Sequence, residues 1–130
     1  ISATKQIHVS QFLLGQYALE SEAGDPAMGS GIPLFQTRGT YNILVPSTYT
    51  SNYVNVVAPT GVDVELDGYA LSGWEQIGST GYQVVRQAVQ PGTHVLESEG
   101  DAGFGITSYG YASFTSYLYP GGMNLGNFIE

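Results

Sequence analysis

The sequence predicts an all-β domain, an antiparallel β-sandwich of about eight short strands with an immunoglobulin-like or jelly-roll-like arrangement. Three observations predict it. Apolar residues fall in short runs, several of them alternating with polar ones. Turn residues interrupt those runs roughly every 8–12 positions, the spacing of a sandwich or barrel. No segment of helical length shows a 3.6-residue period, and eighteen Gly with ten Tyr is the mixture of tight turns and half-buried pleated faces.

The elements follow in order. Ile7 to Leu14 is an apolar run stopped by Gly15 and reads as a strand buried on much of both faces. Glu20 to Gly31 has no period and reads as a long irregular loop. Thr40 to Val45 is a strand closed by Pro46, and Tyr53 to Ala58 another closed by Pro59. In Val62 to Asp67 the apolar side chains Val62, Val64 and Leu66 alternate with Asp63, Glu65 and Asp67, so one face is buried and the other wet. Asp67-Gly68 then supplies the positive-φ pair of a two-residue hairpin returning through Tyr69 to Leu71. Tyr82 to Val89, Thr93 to Ser98, Phe104 to Tyr111 and Thr115 to Tyr119 complete the strands, with Pro91-Gly92 and Pro120-Gly121-Gly122 as turns.

Composition narrows the function classes. The 130 residues suit one domain, 1–130, and the absence of an initiating Met reads as a processed product or a segment of a longer protein, an extracellular one by its low charge and its Tyr, Ser and Gly content. Eleven acidic against three basic side chains give a net charge of −8, which repels phosphate backbones and anionic lipid. Nucleic-acid partners and membrane insertion are therefore not expected. Cysteine is absent, so no disulfide or thiolate chemistry operates in this segment.

Catalytic patterns are missing. There is no G-x-S-x-G elbow to accompany His8 or His94, and the Gly100 to Gly105 stretch carries no Lys for a phosphate loop. Both histidines read as ordinary strand residues, and Trp74 as a core plug. Asp63-x-Glu65-x-Asp67-Gly68 matches the opening of a calcium loop, but the twelfth position, where a bidentate Glu belongs, is Trp74. Strand alternation explains the same spacing. Calcium at Asp63, Glu65 and Asp67 would need convergence with the second acidic cluster, Glu97, Glu99 and Asp101.

The aromatic residues carry more. Tyr109 and Tyr111 lie two apart on one strand, Tyr117 and Tyr119 two apart on the next, joined through Ala112-Ser113-Phe114. As hairpin neighbours the strands would gather all four phenols on one surface, suited to a sugar ring or a protein partner. The other reading has these rings covering a second layer or capping the end of the sandwich.

Read together, several phrases resemble one family. They are Gln11-Phe12-Leu13-Leu14-Gly15-Gln16, Gly24-Asp25-Pro26-Ala27-Met28, Asn52 to Pro59, Val64-Glu65-Leu66-Asp67-Gly68, Gly81-Tyr82, Pro91-Gly92-Thr93-His94 and Ser116 to Met123. Their order over about residues 7 to 125 is similar to the IgG Fc-binding protein N-terminal-like domain, in its C-terminal part. The resemblance implies a β-rich module of secreted or cell-surface proteins and brings no catalytic residues. The function expected is a non-catalytic extracellular adhesion module gripping a surface glycan or protein through loops and the Tyr face. The alternative is a structural subunit that self-assembles as a homo-oligomer, a trimeric fibre tip or a filament.

Overall fold

Two layers arise from strict alternation in the central strands. In β4 (Ser51–Pro59) Asn52, Val54, Val56 and Ala58 are buried while the residues between them are half-exposed. In β3 (Thr40–Val45) Tyr41, Ile43 and Val45 are buried and Asn42 and Leu44 exposed. Each buried face needs a partner, and the two are packed against one another.

The computed structural model describes residues 1–18 and 23–126. Besides β3 and β4 it contains β1 (Ser10–Phe12), β2 (Met28–Ser30), β5 (Val64–Leu66), β6 (Tyr69–Ala70), β7 (Glu75–Gln76), β8 (Tyr82–Ala88), β9 (Gly92–Ser98), β10 (Gly105–Ala112) and β11 (Thr115–Pro120). One sheet has the order β11-β10-β4-β8-β7, the facing sheet β3-β9-β5-β6, and β1-β2 form a separate hairpin. All pairings are antiparallel. The sandwich expected from the sequence is the fold observed.

The core lies between the sheets. Val54, Val56, Val85 and Ile106 from the five-stranded sheet meet Tyr41, Ile43, Val64 and Leu96 from the other. Full burial of a Val, Leu or Ile side chain contributes about 1.5–3 kcal/mol, so these residues supply the main favourable term. Trp74 is partly buried against the cluster and donates its indole N–H to the Leu71 carbonyl at 3.2 Å. A polar tie at Tyr41 joins the layers. The Tyr41 hydroxyl donates to the Phe104 carbonyl at 2.6 Å and accepts the Arg38 N–H at 3.0 Å, while its ring meets Phe104 edge-on at 5.0 Å.

Two sequence expectations change. Ile7 to Leu14 does not form a core strand: only Ser10–Phe12 is extended, in β1, and all three residues are exposed. Its partner is β2, inside the stretch 20–31 expected to be irregular, and β2 lies across β11. Apolar content alone does not place a run inside; here the interior is already filled by longer alternating strands. Residues 20–22 of that stretch lie outside the described residues. The short strand β7 also went unpredicted, two residues being too few for a period to show.

Replacing Tyr41 by Phe removes one donor and one acceptor from a buried site. The expected cost is about 1–3 kcal/mol in urea unfolding, with an unchanged far-UV spectrum.

Candidate functional site

The four tyrosines singled out by sequence do fall on a hairpin, but on opposite faces of it. In antiparallel strands, residues directly opposite one another share a face. Tyr109 pairs with Leu118 and Tyr111 with Ser116, whereas Tyr117 faces Gly110 and Tyr119 faces Ser108. A three-residue connection through Ala112 to Phe114 would have matched odd positions with odd ones. The observed pairing of Ala112 with Thr115 leaves a two-residue turn, Ser113-Phe114, with Phe114 at φ 54°. That one-residue change sends Tyr117 and Tyr119 to the other side.

Tyr117 and Tyr119 face inward and close the sandwich. The Tyr117 ring crosses Gly110, where an added Cβ would lie 2.5 Å from the ring and 2.8 Å from the Ser51 carbonyl. Only glycine fits there. Its hydroxyl donates to Asn52 Oδ1 at 3.0 Å, and its ring meets Tyr49 edge-on. The Tyr119 hydroxyl donates to the Leu44 carbonyl at 2.8 Å, linking edge strand β11 to edge strand β3 of the facing sheet.

Tyr109 and Tyr111 face outward, where sequence reading missed their third member. The β10–β4 register sets Tyr109 opposite Tyr53. Their rings stack at 5.4 Å with a 22° interplanar angle, and Tyr111 meets Tyr109 edge-on at 5.9 Å. The Tyr109 hydroxyl donates to Asn55 Oδ1 at 3.1 Å. Alternation in β4 marked Tyr53 and Asn55 as outward, since Val54 and Val56 are inward; only the long-range partner was invisible. Burial raises the Tyr109 and Tyr111 phenols above the ordinary tyrosine value, so both remain O–H donors at neutral pH.

The acidic residues occupy the other sheet. Glu65 sits directly opposite Glu97, and with Asp63, Glu99 and Asp101 they line an open hollow. The two clusters therefore meet, but Asp63, Glu65 and Asp67 do not converge. Asp67 leaves the strand at φ 53° to begin the expected turn with Gly68, and its carboxylate folds back over β9. There Oδ2 lies 2.7 Å from His94 Nδ1, and Oδ1 accepts the Val95 N–H at 2.9 Å. Among the described residues no group of three or more His, Asp or Glu is placed to hold a metal ion.

A family model described as IgGFc binding protein matches residues 1–110. The chain belongs to that family. The match includes Tyr53, Asn55 and Tyr109 and stops one residue before Tyr111, short of the Ser116 to Met123 phrase. No curated protein and no solved structure matches the chain. The family is one of binding domains. A half-open, mostly apolar hollow of about 250 Å³ lies beneath the β1–β2 hairpin, and the open acidic hollow around Glu65 and Glu97 measures about 560 Å³. Among the described residues no helix is long and apolar enough to cross a membrane.

His94 adds a pH dependence to this family member. Its Nδ1 faces the Asp67 carboxylate and its Nε2 lies 2.7 Å from the Gln90 carbonyl. The carbonyl and the ionised carboxylate both accept, so the arrangement favours the doubly protonated imidazolium form of the ring. Burial pulls the His94 pKa down, but the bonds to Asp67 and Gln90 outweigh it and leave it raised. His94 and Val95 N–H hold the Asp67 carboxyl below its ordinary value. The His94 contribution is complete below the unfolded imidazole value, about 6.5, and is lost as pH rises through the higher folded value. The Asp67 contribution is complete above about 3.9 and is lost as pH falls through the lower folded value. The melting temperature of the wild type should therefore fall as pH rises above about 6.5. In Asp67→Asn that fall should flatten, as read by circular dichroism.

Proposed function

We propose that the chain is a non-catalytic extracellular binding module, and that it holds a glycan or protein ligand on the outward tyrosines of its five-stranded sheet. The observation that carries the reading is the Tyr53–Tyr109–Tyr111 ladder. Three rings stand half-exposed on a rigid sheet, already ordered by one another and by Asn55, so little rotamer entropy remains to be lost on binding. Family membership supports a binding role and makes immunoglobulin Fc one ligand to include in the test.

Arg86 adds a polar contact at the rim. It pairs with Asn55 in register, influences the Tyr109 phenol, and lies 3.9 Å from Glu75 with both side chains exposed. An exposed pair at that distance is weak, so Arg86 is available to a ligand acceptor.

The test has two stages. The purified chain is screened on glycan and protein arrays that include Fc, and a hit is titrated by calorimetry. Tyr53→Ala, Tyr109→Ala and Tyr111→Ala should each weaken binding, at least two of them by about 1–2 kcal/mol. Tyr69→Ala, on the facing sheet, should leave it unchanged. Wild-type affinity in all three ladder variants would overturn the reading.

A further inference from the structure

The β1–β2 hairpin carries the least protected strand edge in the described residues. Leu13 N–H donates to the Ala27 carbonyl and Gly31 N–H to the Val9 carbonyl, so Val9 and Leu13 spend their main-chain groups on the β2 side. Alternation then turns the main-chain groups of Ser10 and Phe12 away from β2, and no strand pairs with β1 on that side. The other sheet ends are defended. β6 and β7 are two residues long, and β3 and β11 are joined through Tyr119 and Leu44. β1 has neither defence, nor a Lys or Pro to blunt it.

The side chains around this edge mix exposed apolar groups with Ser10, Gln11 and Ser30, and His8 bridges the two serines. Phe12 and Met28, paired across the hairpin, are 63% and 62% exposed, and Leu14 is 56% exposed. Residues 6–18 and 26–37 contain no Asp, Glu, Lys or Arg, in a chain of net charge −8. Two copies of so acidic a molecule repel across most approaches and meet without that cost only where neither presents a carboxylate.

We propose that a second copy of this chain docks here, its β1 antiparallel to the first about a two-fold axis. The combined sheet has the order β2-β1-β1-β2, with Phe12 and Met28 of both copies on one face. An antiparallel strand pair is self-complementary, as an isologous dimer requires. Two strands alone are marginal in water, and pairing through β1 makes the hairpin part of a four-stranded sheet. This inference is independent of the tyrosine ladder, because it is read from oligomeric state alone.

Sedimentation velocity of the full chain across the micromolar range tests it. The wild type should show a concentration-dependent monomer–dimer equilibrium. Ser10→Pro deletes an outward N–H and leaves the bonds to β2 in place, and Phe12→Glu sets carboxylates face to face across the two-fold. Each should weaken dimerisation at least tenfold while the melting temperature and far-UV spectrum of the monomer stay as in wild type. Tyr69→Ser should dimerise normally. A wild type that stays monomeric at the highest concentration would sink the proposal, and so would a dimer insensitive to Phe12→Glu.

Discussion

Period-two alternation, enforced by packing one face of each sheet against the other, is the constraint on which both fold and site rest. Val54, Val56 and Ala58 have no exposure at all, and a slip of one residue in β4 would exchange them for Tyr53, Asn55 and Val57. The register of β4 therefore fixes that of β10 and β8 on either side, and with it which side chains reach the exterior. Tyr41 secures the same arrangement from the facing layer, satisfying the Phe104 carbonyl and the Arg38 N–H at once.

The tyrosines divide their labour by this rule. On the inside, Tyr117 and Tyr119 use their hydroxyls to tie strands together, one to Asn52 and one to Leu44 across the gap between sheets. On the outside, Tyr53, Tyr109 and Tyr111 form a ladder across two strands of the same sheet. The charges are segregated as well. The carboxylates of Asp63, Glu65, Glu97, Glu99 and Asp101 crowd the four-stranded sheet, while beside the ladder on the opposite side stand Asn55 and the exposed Arg86–Glu75 pair.

Much of the fold was legible in the sequence because its signals are local. Thr40–Val45 is bounded by the same residues in sequence and structure, and Asp67-Gly68 makes the turn its two positive φ values require. The site was only half legible. Tyr109 and Tyr111 share a face because alternation demands it, but their relation to Tyr117 and Tyr119 hung on one residue of turn length. Tyr53 was out of reach because it joins the ladder through the β10–β4 pairing, a contact distant along the chain. The apolar run around Phe12 misled for a related reason: hydrophobicity does not say which strand arrives at the core first.

The grip on Asp67 bears on how the molecule ages. An aspartate followed by glycine is a weak link in any long-lived polypeptide, because the glycine nitrogen can attack the side-chain carboxyl and close a succinimide that reopens as isoaspartate. Here one carboxylate oxygen is held by His94 and the other by the Val95 N–H, so both bonds must break before the carboxyl is free to meet the Gly68 nitrogen. The bonds that set the hairpin also slow the rearrangement of its backbone.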